Sequence, residues 1–241
     1  MLSFLAAAAV AAVPHGRPVP SPVAADAVVP ADRQWAAVEA TARVSAGDVP
    51  GPVATAVCVG VSGGDAYLLT ADHVIPSGQA RQYEFFTRRS YPRPAFALVG
   101  SGVVVRVTGA DLALVKVPLT GPERPGVLAL APAFDRPKRF PAAGGAVGCP
   151  DGLPPLVRAE RITGKPFVRR PPDGDGFFWQ TARAPDPGMS GGPLLDASGR
   201  VIGVCAAARG AGGYYTHLDE VHAALKRSGY GWLVPDAKSG P

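Results

Sequence analysis

The sequence predicts an all-β protein, built as two packed antiparallel β-barrels with a C-terminal α-helix. Three observations carry this. The 241 residues include 30 Gly and 27 Pro, well above ordinary usage, which favours short elements joined by turns over long helices. About a dozen short apolar segments with strand-like patterning recur along the chain in two groups. A clear amphipathic helix pattern appears only near the end, and hydrophobic residues make up 47% of the chain, enough to fill a substantial core.

The chain opens on "LSFLAAAAVAAV", Leu2 to Val13, an apolar run too short to cross a bilayer and closed by Pro14. It reads as a signal-like segment and implies export to the periplasm or cell envelope, without stable membrane insertion. No Lys or Arg precedes it; cleavage is compatible with Ala11-Ala12-Val13 or Val23-Ala24-Ala25. Pro14 to Pro30 is proline-rich and reads as an extended spacer, so the fold is expected to begin near Asp32. The predicted division is 1–31 for the leader and spacer, 32–120 for the first barrel, 121–217 for the second, and 218–241 for the helix and tail.

"DRQWAAVEATARVS" starts as a helix and ends as a strand, where Ala42 and Val44 alternate. "TAVCVGV" places Val57, Val59 and Val61 on one face, "AYLLTA" follows a Ser-Gly-Gly-Asp turn, and "VVVRV" and "LALVKV" flank Thr108 to Asp111. Later strand candidates are "VLALA", "GAVGC", "FFWQTA", "PLLD" and "VIGVCAA". In "THLDEVHAALKRSG", Leu218, Val221, His222 and Leu225 repeat at helical spacing. Thr216 and Asp219 suit a capping box, and Lys226, Arg227 and Gly229 suit the closing turn.

Composition excludes several functions. The formal charge of +5 is spread along the chain, densest from Arg158 to Arg170, and lacks interleaved aromatics, so it reads as a solvated basic face and not a nucleic-acid surface. Cys58, Cys149 and Cys205 are too few and too scattered for a disulfide framework or a zinc site; buried free thiols are expected, with no metal or cofactor.

Acyl transfer needs a nucleophile, a base, an acid to orient the base, and donors for the oxyanion. Ser190 in "GMSGGP" is the candidate nucleophile, and Gly188 and Gly191 free the backbone so that the Gly188 and Ser190 N–H groups can converge on one oxygen. His73 in "LLTADHVI" stands at a strand end and is the candidate base; Asp111 in "ADLALVKV" starts an apolar strand and is the candidate orienting acid. Asp72, beside His73, is expected on the opposite face, serving backbone or solvent.

These residues, in the order His, Asp, Ser, resemble the trypsin-like serine proteases of the chymotrypsin fold, and most closely the bacterial HtrA/Deg branch. The similarity runs from about Ala36 to Gly229, with the Gly-x-Ser-Gly-Gly-Pro hairpin as its most specific part. It implies a serine endopeptidase acting on polypeptides through an acyl-enzyme, and, from the short stretch after the final helix, a member without the PDZ domain. It also implies a specificity pocket with Ala184 at its base and Ala206, Ala207 and Ala208 on one wall. With no acid at the base, small or medium apolar side chains are expected there and Lys or Arg is not. One departure from the family pattern matters: Met189 stands where Asp or Asn is usual, and no Arg-Ile-Val-Gly-Gly activation site precedes it, so a non-zymogen domain is expected. The alternatives are an inactive domain of this fold that binds peptides or proteins, and a non-protease hydrolase on the same scaffold.

Overall fold

The computed structural model describes residues 21–46, 53–75, 79–170 and 174–235. The apolar run from Leu2 lies outside them. A helix α1 (Ala31–Ala40) leads directly into seven strands: β1 (Thr41–Ser45), β2 (Ala54–Ser62), β3 (Asp65–Thr70), β4 (Arg81–Phe85), β5 (Phe96–Gly100), β6 (Gly102–Val107) and β7 (Leu112–Pro118). They form one curled antiparallel sheet in the order β5-β4-β1-β2-β3-β7-β6. Seven more follow: β8 (Ala142–Gly148), β9 (Leu156–Gly164), β10 (Phe167–Arg170), β11 (Gly174–Thr181), β12 (Pro193–Leu195), β13 (Val201–Arg209) and β14 (Gly212–His217). Their order is β10-β11-β14-β13-β12-β8-β9, and a β9–β11 pairing closes the ring. The terminal helix α2 (Leu218–Arg227) completes the two-barrel, chymotrypsin-like fold.

The central strands of the first barrel are buried on both faces. Ala56 and Cys58 of β2 and Leu68 of β3 fill the barrel interior, while Val57, Val59 and Leu69 face the core shared with the second barrel. That double burial explains why these segments read as nearly continuous apolar runs. Val61, placed by sequence on the face of Val57 and Val59, is exposed, because a register shift at Cys58/Gly60 turns the end of β2. All three cysteines are buried and free, and burial pushes Cys149 and Cys205 up to about 12.

Four expectations are corrected. Residues 21–30 are not a bare spacer: Val29 is buried in the core, the Pro22 carbonyl accepts from the Val157 N–H (2.9 Å), and Gln34 clasps the Ala24 and Val29 backbone. "VLALA" forms no strand; Leu128 and Leu130 are buried between elements, and only an isolated bridge joins Leu130 to Val201. The cap of α2 is His217, whose Nδ1 accepts from the Asp219 N–H (3.0 Å), while the Thr216 hydroxyl donates instead to the Ala110 carbonyl. Arg158, read as part of a solvated basic face, is buried with Glu160 on β9.

The two ends of the described chain cross-brace the barrels. α1 and the residues before it pack on β8 and β9 of the second barrel, whereas Trp232 and Leu233 return to Tyr67 and Gly60 of the first.

Two buried histidines should make this fold less stable in acid. His217 is fully buried against Trp179 (ring centroids 4.0 Å apart), and burial, aided by Lys165, pulls its pKa down to about 3; burial, aided by Lys226, pulls His222 down to about 4. Asp219 opposes both shifts and Arg136 reinforces them. Above pH 6.5 both rings are neutral folded or unfolded and contribute no pH dependence. Below it the unfolded chain takes up protons that the folded chain refuses, so stability falls by up to roughly 1.4 kcal/mol per pH unit per histidine. Urea unfolding at pH 7 and pH 5 should show a lower midpoint at pH 5, and His222→Leu should reduce the difference. A midpoint that does not move would contradict the buried neutral state.

Candidate active site

His73 lies in the 3₁₀ turn Asp72–Val74 that ends β3, and Asp111 follows the 3₁₀ turn Thr108–Ala110 that precedes β7. Since β3 pairs with β7 and Thr70 stands opposite Ala113, the two turns meet at one end of the pair. Asp111 takes a left-handed conformation (φ 50°, ψ 52°), a region that Asp tolerates better than most residues. Its side chain is 6% exposed, that of His73 51%.

The His73 Nδ1 is 2.8 Å from Asp111 Oδ2 and 3.0 Å from Oδ1, and the His73 backbone N–H donates to Oδ1 (3.1 Å). A carboxylate so placed holds the ring proton on Nδ1 and leaves Nε2 as the basic nitrogen. His73 and Ser190 line one cleft of about 340 Å³, with Val44, Val53, Ala54 and Arg81 among its other walls.

The serine loop is fastened from both barrels. The Thr55 N–H donates to the Ser190 carbonyl (2.8 Å), and the Thr55 hydroxyl donates to the Gly188 carbonyl (2.7 Å) while accepting from the Cys149 N–H (3.0 Å). Gly188 and Gly191 have φ of 90° and 85°; a Cβ at Gly191 would run into the Thr55 carbonyl and the Thr70 hydroxyl. The N–H groups of Met189, Gly191 and Gly192 donate to the carbonyls of Asp186, Cys205 and Met189. Among the described residues, those of Gly188 and Ser190 have no backbone acceptor.

Met189 is 1% exposed and packs on Gly148, so the loop is ordered by apolar burial where an acid would need a cation. Beneath it, Arg158 bonds Glu160 (Nε to Oε1, 2.8 Å), Asp186 (Nη1 to Oδ2, 3.1 Å) and the Ala184 carbonyl (Nη2, 3.2 Å). Burial raises the Glu160 pKa despite the guanidinium beside it.

Of the residues expected to form a specificity pocket, Ala184 is half-buried on the segment Arg158 holds, Ala206 is buried, Ala207 half-buried and Ala208 exposed on β13. All four belong to the second barrel, and none lines the cleft shared by His73 and Ser190. Asp72 does not face solvent: it is 7% exposed and ion-paired with Arg106, whose other nitrogen donates to the Ile75 carbonyl (2.8 Å). The segment is a 3₁₀ turn and not a strand, so strand alternation does not apply there. Sequence reasoning missed Thr55, Arg106 and Arg158, all of which act across the fold. Among the described residues no cluster of His, Cys, Asp and Glu could hold a metal, and no helix is long and apolar enough to cross a membrane.

A family model described as "Trypsin-like peptidase domain" matches residues 54–204, which include His73, Asp111 and Ser190. The chain belongs to this family. The peptidase-family domain is 30% identical over 147 residues to a probable periplasmic serine endoprotease, DegP-like, of Marinomonas sp., a match spanning 58% of this chain and 27% of that relative. Only about a quarter of that relative's length is therefore represented. Among solved structures, the inactive form of the Rv3671c protease is similar at a TM-score of 0.65 and 22% identity, over 88% of this chain and 100% of that one; a second structure of it is attributed to M. tuberculosis. The HtrA-type protease AlgW with a tripeptide is similar at 0.64 and 22%, over 83% of this chain and 64% of that one. At these identities the likeness establishes the fold.

Proposed function

We propose that the domain is a serine endopeptidase that hydrolyses polypeptides through an acyl-enzyme on Ser190. The observation that carries this reading is the carboxylate-oriented His73 in the same cleft as Ser190, beside two amides without a backbone acceptor among the described residues. His73 Nε2 takes the Ser190 proton as Oγ attacks the scissile carbonyl, and the imidazolium then passes it to the departing amine. Asp111 keeps the tautomer and stabilises the imidazolium, and the Gly188 and Ser190 N–H groups bind the oxyanion. Ala184 is the proposed base, and Ala206 to Ala208 the proposed wall, of the pocket for the side chain before the scissile bond, favouring small or medium apolar residues. The DegP-like relative's description as periplasmic, with the signal-like Leu2 to Val13, supports export. The test is labelling by a fluorophosphonate: Ser190 should be modified in the native chain and nothing in Ser190→Ala. An unlabelled native chain would overturn the reading.

The same reading makes the domain active as folded. Met189→Asp would bury a carboxylate with no cation supplied for it, at a cost of about 2–3 kcal/mol, so its melting temperature should fall and its peptide hydrolysis should not rise. A chain beginning at Ser21, which keeps the docked residues Pro22 and Val29, should match the full chain in activity. Silence of the full chain, relieved by that truncation, would make it a zymogen.

A further inference from the structure

The geometry points to the cleft on the first-barrel side of Ser190 as the berth for the leaving half of the substrate, and we propose that Arg81 there selects a carboxylate on that half. This rests on the peptidase reading above. His73 delivers its proton to the departing amine, so the leaving segment must pass on the side where the imidazole stands. That side holds the cleft of about 340 Å³, toward the lower end of ordinary ligand pockets. Its aliphatic walls, Val44, Val53, Ala54 and Val74, come from the first barrel and suit short apolar side chains.

Among the described lining residues, Arg81 is the only permanent charge and none carries a carboxylate. Arg81 opens β4 and is half-buried. Among the described residues its guanidinium makes no ion pair, and the acid on its own strand, Glu84, is committed to Arg43 (2.7 Å). A guanidinium against apolar walls is partly dehydrated and can engage a carboxylate through two parallel hydrogen bonds. The carboxylate can be an Asp or Glu side chain shortly after the scissile bond, or the free end of a short leaving fragment. Both present the same chemistry.

The test is binding, which needs no turnover. Short peptides with a free amino end and an amidated carboxyl end, carrying Glu or Gln at the first, second or third position, are titrated calorimetrically against Ser190→Ala. A Glu peptide should bind about fivefold more tightly than its Gln counterpart at one position, and the advantage should shrink with added salt. Leaving the carboxyl end free on the Gln peptides tests the second source. Arg81→Gln should erase the preference, Arg81→Lys should keep part of it, and Arg81→Glu should shift it to Lys peptides. The proposal is overturned if Glu, Gln and free-ended peptides all bind alike, or if the preference survives in Arg81→Gln. Fluorophosphonate labelling of the native chain reports separately on the peptidase reading, so the two can fail independently.

Discussion

Ser190→Ala and His73→Ala are expected to lower peptide hydrolysis by about four orders of magnitude or more, with the fold retained. The hydrogen bonds that fasten Ser190 and its neighbour run through backbone atoms, the Ser190 carbonyl and the Gly191 N–H, so removing the hydroxyl leaves them in place. The double variant should be little worse than either single one, because the nucleophile and its base act as a unit. Asp111→Asn should be nearly as severe. Its one acceptor oxygen would face two donors, the His73 N–H and Nδ1–H, where the carboxylate now serves both; an amide N–H toward Nδ1 would force the proton onto Nε2 and abolish its basicity. Asp72→Asn separates structure from chemistry. It weakens the pairing to Arg106, which is one-third exposed and keeps contact with water, so about 1–2 kcal/mol of stability should be lost with most of the turnover retained. The measurement is kcat for all variants beside their thermal melting midpoints. A reversed ranking of Asp111 and Asp72 would show that the wrong acid had been assigned.

Legibility differed between elements for physical reasons. β2, β3 and β7 were readable because both of their faces are buried, which leaves apolar runs that no loop would carry. β9 was not, because Arg158 and Glu160 occupy core-facing positions and the strand reads as surface. β14, "GGYYTH", begins with two glycines; Gly213 must lack a side chain because Pro185 and the Thr181 hydroxyl crowd it. The candidate site divides the same way. His73, Asp111 and Ser190 stand in an order along the chain, and Ser190 in a Gly-x-Ser-Gly-Gly-Pro hairpin, that mark them as candidates when taken together. Thr55 carries no such mark: its bonds to Cys149 and Gly188 span 94 and 133 residues, and no local pattern distinguishes it from any other strand threonine.

Arg158 is where a buried charge and the serine loop are most tightly linked. Arg158→Met is expected to cost about 3 kcal/mol or more, since Glu160 stays buried without its partner. Glu160 already has a raised pKa, and removing the guanidinium raises it further. The folded variant then holds a proton that the unfolded chain releases above about pH 4.3. The Glu160 contribution to stability is therefore best preserved at acid pH and lost as pH rises, and urea unfolding of the variant beside the native chain at pH 5 and pH 8 should show the larger deficit at pH 8. Adding Glu160→Leu removes the stranded carboxyl and should return most of the stability, because an apolar pair of similar volume can replace a buried ion pair at little net cost. Activity should not return with it. Arg158 also holds the Ala184 carbonyl and Asp186, two to four residues ahead of Gly188. Without those bonds the segment ahead of the Gly188 and Ser190 amides loses part of its anchoring, and a displacement of about 1 Å there is enough for roughly a hundredfold loss in kcat. Recovered stability with persistently low kcat in Arg158→Met/Glu160→Leu is the signature of a positioning role. Full turnover in that variant would leave Arg158 a purely structural residue, with the loop held by its remaining contacts, among them Thr55, Met189 and the bonds of Pro187 and Gly191 to Asp151 and Cys205.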